Sequence, residues 1–207
     1  MTRILRIVHV DDLHTILRFG GIWAPGRRPA HLPVASSIAH VGIVDRRAQH
    51  PVPVGPGGTL HDYVPFYLGE RSPMLLANHK GKVASNPYGQ AVIVYLEALA
   101  EEVQDGGHRF VFTDGHAAMA VTRFFDDLRD LATLDWTTIR ARSWADTAND
   151  PDRKRRKQAE FLVKRFFPWA LVRRVVVFDA SIQAQVQSLL AAAGVSIPVD
   201  IQRDWYY

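Results

Sequence analysis

The chain contains no cysteine among its 207 residues, so disulfides and Cys-ligated metal centres are excluded, and a reducing cytoplasm fits. Long apolar runs are also missing. The densest, such as Val175–Phe178, fall far short of the ~20 apolar residues a membrane span needs, and no membrane partner is expected. Met1–Arg6 carries Arg3 and Arg6 and lacks the apolar core and small-residue cleavage site of a secretory leader, which again points to the cytoplasm. No Walker-type loop, strand–GxGxxG–helix unit, GxSxG or HExxH occurs; the glycines at 55, 57 and 58 sit among prolines and start no helix. These absences disfavour P-loop NTPases, simple Rossmann dehydrogenases, α/β-hydrolases and common zinc hydrolases. His9–His14 (HVDDLH) straddles a strand–helix junction and matches no standard metal spacing, so no metal is expected.

What is present is an ordinary globular composition, 47% hydrophobic and 22% charged, with a cationic excess of 25 Lys and Arg over 21 acids. The resulting pI near 9.6 suits an anionic partner, nucleic acid or nucleotide, and equally a basic protein with no polyanion partner. Length and the absence of any linker or repeat predict one domain over 1–207. Strands are expected at Ile4–Val10, Tyr63–Leu68, Ala91–Tyr95, Arg109–Thr113, Arg174–Phe178 and Pro198–Tyr207. Pro65 makes the second of these an edge or interrupted strand, because it donates no ladder hydrogen bond. Helices are expected at Leu13–Arg18, from Ser72-Pro73-Met74, at Glu97–Gln104, from about His116 to Leu131, and at Ser181–Ala193. A Ser/His-containing segment, Ser36–Val44, precedes Arg46-Arg47, and Asp135–Asp152 reads as a long loop of the kind that often carries function. The pattern is a mixed α+β domain.

Chemistry-bearing residues occupy constrained places. His9 ends the first strand between Val8 and Val10, where a core-edge histidine bonded to backbone is the default. Arg46-Arg47 precedes a rigid Pro/Gly loop; such a doublet is ordinarily a solvated pair, although a fixed backbone can aim a guanidinium at an anion. Tyr63, Phe66 and Tyr67 form an aromatic group suited to the core or to stacking on a flat ring. Glu160 follows the basic run Arg153–Lys157 and precedes an apolar stretch. In a helix it would pair with Lys164 or Arg156; at the mouth of a site it would stabilise developing positive charge beside a polyanion.

The order of five segments resembles the DarT family of DNA ADP-ribosyltransferases: RIVHVDDLHTILRFGGI (Arg6–Ile22), DRRAQHPVPVGPGGTLHDYVPFYLGERSPML (Asp45–Leu75), FTDGHA (Phe112–Ala117), RKQAEFLV (Arg156–Val163) and DWYY (Asp204–Tyr207). The YVPFY…SPML pairing and QAEFLV are the most specific of these. The resemblance implies an ADP-ribosyltransferase fold, a split, mainly antiparallel sheet with peripheral helices around an NAD cleft. It implies transfer of ADP-ribose from NAD, as co-substrate, to a base of single-stranded DNA, thymine at N3, as the toxin of a toxin–antitoxin pair. Its partners would be NAD, single-stranded DNA and a macrodomain antitoxin of the DarG type. Carried over by position, Glu160 is the catalytic glutamate, and Arg47 faces both NAD and the target base. His9, with Val10 and Asp11, stands at the adenosine ribose; Tyr67 packs on nicotinamide and Met74 lies beside it. His116 opens the region shaping the DNA site, and Arg46 is expected to bind the DNA as well. Asp12 and Leu5 depart from the family pattern, which has Asn and commonly an aromatic there.

The residue types suit that reaction. Breaking the bond to nicotinamide leaves an oxocarbenium-like ribose, which a carboxylate at 160 can stabilise. Arginine is effectively always protonated, so Arg47 is assigned first to polarising the base and clamping phosphate. A base edge used in pairing is accessible only in unpaired DNA or after flipping. Arg140, Arg142, Trp144, Arg153 and Lys154 are expected to track the strand by charge and stacking. The competing readings are transfer to guanine, RNA or protein, and a catalytically silent nucleic-acid-binding module.

Overall fold

The computed structural model describes residues 1–33, 38 and 46–207, so Asp45 and the Ser36–Val44 segment, Ile38 apart, lie outside the described residues. In chain order the elements are β1 (Arg3–His9), α1 (Asp12–Arg18), β2 (Gly21–Trp23), a helical turn α2 (residues 46–49), β3 (Tyr63–Tyr67) and α3 (Pro73–His79). They continue with β4 (Ile93–Leu99), α4 (Ala100–Asp105), β5 (Phe110–Thr113), β6 (Phe124–Phe125), α5 (Trp136–Ile139) and α6 (Arg153–Arg156). The last are β7 (Glu160–Lys164), β8 (Phe166–Pro168), β9 (Arg174–Val177), α7 (Ala180–Ala192) and β10 (Val199–Ile201).

Eight strands form one sheet in the order β10-β9-β4-β1-β3-β7-β5-β6, antiparallel at every pair except β9–β10. β1 pairs β4 at seven positions but meets β3 at one, Leu5↔Tyr67. The sheet is therefore split there, mainly antiparallel on both sides, as the resemblance implied. Pro65 supplies the physical reason. Its carbonyl faces β1 and accepts Arg6 Nη1 at 3.0 Å, and on that edge it has no N–H to continue the ladder. β3 is thus an interior strand interrupted on one side, where the sequence had left edge and interruption open.

Side-chain alternation gives the two faces different fates. On one, Ile4, Val8, Val64, Phe66, Phe161 and Val163 belong to a single core spanning both halves and covered by α1 and α7. On the other, the apolar residues form two clusters, one around Leu5, Ile7 and Tyr95 and one around Tyr63, Val111 and Leu162. The break between them is the cleft.

Three expected elements are corrected. β4 runs to Leu99 and the helix starts only at Ala100, because Glu97 is held in the sheet opposite Leu5 with its carboxylate on Arg174 (2.9 Å). Residues 116–131 form turns, β6 and a 3-10 segment rather than a helix: the His116 carbonyl accepts the Met119 N–H and the Thr122 hydroxyl, and Phe124 and Phe125 are drawn into pairing with β5. The final strand stops at Ile201, and a 3-10 turn at Arg203–Trp205 follows. The loop expected over Asp135–Asp152 contains α5. No helix among the described residues is long and apolar enough to cross a membrane.

Candidate active site

Glu160 begins β7. The sequence left helix and strand open, and pairing decides: β7 joins β3 over five positions, with Glu160 opposite Tyr67. Period 2 then turns Glu160 and Leu162 to the cleft face while Phe161 and Val163 enter the continuous core. The Glu160 N–H donates to Thr113 Oγ1 (3.1 Å), which fixes the strand start. Its buried carboxylate receives Arg47 Nη1 at 2.9 and 3.1 Å and the Ala117 N–H at 3.0 Å. Charge-assisted donors thus take the place of water around the buried carboxylate.

Arg47 sits on α2, and a single nitrogen of its fork spans both carboxylate oxygens. The other, Nη2, is buried without a hydrogen-bond partner among the described residues. Arg6 is similar. Nη1 is taken by Pro65 O while Nε is buried and unpartnered, and burial lowers its pKa below the usual arginine value. Both guanidiniums face the same space and repel one another, with Glu160 offsetting them. Donors left unspent in a dry cleft are suited to a ligand's acceptors.

The cavity measures about 630 Å³, within the range of small-molecule sites. Tyr67, Met74, Ile7, Leu60 and Tyr63 give it apolar walls, while Arg6, Arg46, Arg47 and Lys154 face Glu160, the one carboxylate in its described wall. The balance is cationic and suits an anionic ligand with an aromatic ring. Burial, reinforced by the Glu160 charge, raises the Tyr67 phenol to about 12, so it remains an O–H donor. His116 is pushed below its ordinary pKa, chiefly by burial, although Glu160 pulls the other way. Its Nδ1 accepts the Ala118 N–H (3.1 Å), so the neutral ring carries its proton on Nε2. Among the described residues no group of three or more His, Asp or Glu side chains could hold a metal.

Of the residues singled out from sequence, the structure brings Arg46, Arg47, Tyr67, Met74, His116, Lys154 and Glu160 to one cavity. His9 lies two residues beyond Ile7 on the same face of β1, outside the cavity wall. It accepts the Asp11 N–H at 3.2 Å. Val10 is buried in the core and spends its N–H on Val92 O. Arg140 and Arg142 line a second, smaller pocket with Lys157. Trp144 is buried with its indole N–H on Tyr207 Oη (2.7 Å), which leaves no open ring face and corrects the stacking expectation. The basic run divides. Lys154 is exposed at the rim of the cavity and Arg153 is half-buried, while Arg155 bridges Asp114 and Asp152 at 2.7 Å. Arg156 pairs with Asp135 and Asp150. Sequence reasoning missed Arg6 and the Ala117 N–H. A cation at an apolar strand position was the available signal for Arg6; nothing local marks a backbone donor.

Comparison with known proteins places these features. The family model described as "DarT: ssDNA thymidine ADP-ribosyltransferase, DarT" matches residues 5–207. A DNA ADP-ribosyl transferase of Thermus aquaticus is 44% identical over 208 residues, covering 100% of this chain and 89% of the relative. One from Escherichia coli is 33% identical over 99% of this chain and 93% of its own length. Among solved structures, Thermus sp. 2.9 DarT in complex with ADP-ribosylated ssDNA superposes with a TM-score of 0.93 at 41% identity, covering 100% of this chain and 96% of that one. The same protein in complex with NAD+ gives 0.89 at 40% identity, over 100% and 98%.

Proposed function

The chain belongs to the DarT family of ssDNA thymidine ADP-ribosyltransferases, and we propose that it transfers ADP-ribose from NAD to thymine N3 of single-stranded DNA, with Glu160 and Arg47 carrying the reaction. The observation behind the assignment is the buried carboxylate at the start of β7, opposite Tyr67, held by Arg47 and the Ala117 N–H. The bond between ribose C1′ and the nicotinamide nitrogen breaks, and nicotinamide leaves with the electron pair. Glu160 stabilises the positive charge developing on the sugar. The thymine N3–C1′ bond forms as N3 loses its proton, and Glu160 is the one carboxylate in the described wall able to receive it.

Among the described residues Arg47 Nη2 has no partner, which suits it to a phosphate or a base carbonyl. Tyr67 and Met74 pack the nicotinamide, and the neutral His116 offers Nε2–H to the base. His9 and Asp11 serve the adenosine end, where β1 leaves the cavity. The chain acts as one domain in the cytoplasm, partnered by a macrodomain antitoxin of the DarG type that removes the mark.

The test is purified protein with labelled NAD and single-stranded or duplex oligonucleotides of varied sequence. Label should enter thymine-containing single strands, with little in duplex. Glu160→Gln should lower the rate by about 10²- to 10³-fold or more. Label on guanine-only strands, RNA or protein would overturn the substrate; absence of transfer with salt-sensitive DNA binding intact would leave a binding module.

A further inference from the structure

A second pocket, of about 230 Å³, is built from five cations and two acids: Arg3, Arg71, Arg140, Arg142 and Lys157 against Glu70 and Asp204. The acids are committed. Glu70 accepts Arg3 at 2.9 Å, and Asp204 stands 3.5 Å from Arg142. Arg71, Arg140 and Lys157 have no carboxylate within salt-bridge distance among the described residues. Three neighbouring cations, with only the committed Glu70 nearby to offset them, repel one another unless an anion joins them.

Two of the three are also preorganised. Arg71 adopts a left-handed backbone (φ 53°), rare for a side chain of this size. Its N–H donates to Tyr95 Oη (3.3 Å), its carbonyl accepts Tyr207 Oη (2.6 Å), and its guanidinium lies over the Tyr207 ring. The buried Nε has no hydrogen-bond partner among the described residues. Lys157 is buried, and its ammonium is held by two carbonyls, Ile139 O (2.8 Å) and Ala141 O (3.0 Å). Ammonium and fixed guanidinium together are phosphate ligands.

Location identifies the source of that phosphate. Arg3 in this pocket and Ile7 in the catalytic cavity lie on one face of β1, four residues or about 13 Å apart. Lys157 is three residues before Glu160, at most about 11 Å along the chain. The two pockets are therefore close enough for one single strand, a few nucleotides long, to reach both. Resting on the DNA-modifying reading, we propose that the Arg71–Arg140–Lys157 pocket binds a backbone phosphate of that strand, away from the modified nucleotide, and so sets affinity for DNA beyond the reacting base.

The experiment compares wild type with the double variant Arg71→Gln/Arg140→Gln, using oligonucleotides of about 12 nucleotides and minimal ones of about three. Expected is a rise of roughly tenfold in KM for the long strand. The slope of log KM against log salt should fall by ~0.7 for the lost phosphate contact. The KM for NAD should be unchanged, and the minimal strand should show little difference between the two proteins. Equal KM for the long strand in both proteins overturns the proposal. If inorganic phosphate then raises the melting temperature of wild type alone, the pocket takes a free small anion instead. Should wild type transfer nothing at all, the enzymatic reading fails. Fluorescence anisotropy of the labelled long strand then decides, and equal affinity of the two proteins again overturns the site.

Discussion

Glu160 takes three contacts on two oxygens, and only one nitrogen of Arg47 is spent in making them. A bidentate fork would have closed the pair on itself. The geometry found leaves Nη2 as a fixed donor in a low-dielectric cleft, where one hydrogen bond counts for more than in water. The opposite strategy is seen at Lys157, whose buried charge is offset only by carbonyls and the more distant Glu70, so that burial lowers its pKa to about 8. The unfolded chain binds this proton up to about 10.5. Between pH 8 and 10.5 the unfolded state therefore holds more protons, and stability rises with pH across that window. Relative to Lys157→Met, which lacks this titration, wild type should gain on the order of 3 kcal/mol between pH 7 and pH 11. Urea melts across that range measure the gap, and a flat difference would show that the ammonium is solvated.

Elements of the cleft owe their form to residues that prevent regular structure. Pro65 ends the β1–β3 ladder, and the Pro/Gly loop before β3 is pinned from inside. Tyr63 Oη donates to Gly57 O (2.8 Å), and Lys164 and Asp62 close against Gly58. Gly58 has φ +86°, and a Cβ there would stand 2.3 Å from Asp62 Oδ2 and 2.5 Å from Lys164 Nζ. Gly57, at φ +60°, has open space where its Cβ would be. Gly57→Ala should therefore cost only the backbone term, roughly 1 kcal/mol. Gly58→Ala adds collision with an ion pair and should cost about 2–4 kcal/mol, lowering Tm by several degrees more. Equal melting temperatures for the two variants would remove the argument. The helix expected from His116 fails for a related reason. The Asp114 N–H goes to Arg123 O and Phe124 and Phe125 pair with β5, so the chain folds back on the sheet and local helix propensity yields to strand pairing.

At the scale of the whole molecule the C-terminal residues tie the β10-β9-β4-β1 half together. Tyr206 is fully buried, and its hydroxyl bridges Ile93 O on β4 (2.9 Å) and Val176 O on β9 (3.1 Å). Tyr206→Phe leaves those carbonyls without the bridge and should cost about 1–3 kcal/mol in urea denaturation, with the cleft residues untouched. An unchanged midpoint would mean that water replaces the hydroxyl. Much of this architecture was legible locally. Alternation in Ile4–Val10 and Arg174–Phe178, Ser72-Pro73 at a helix start and Pro65 as an interruption are properties of neighbouring residues, and each was read correctly to within a few positions. The identities at Arg47, Tyr67, Met74, His116 and Glu160 could be named from segments whose order matches a family. What a linear chain cannot state is which amide, carbonyl or cation from a distant segment will face a given side chain. Pairing between β3 and β7 decided that Glu160 begins a strand; tertiary packing decided that Trp144 is buried with its indole N–H on Tyr207 Oη. The gap between β1 and β3 decided that Arg6 reaches the cleft. Local sequence determined the elements because φ/ψ preference and apolar periodicity act over a few residues. The active-site contacts, all between segments far apart in the chain, were decided only when those elements packed.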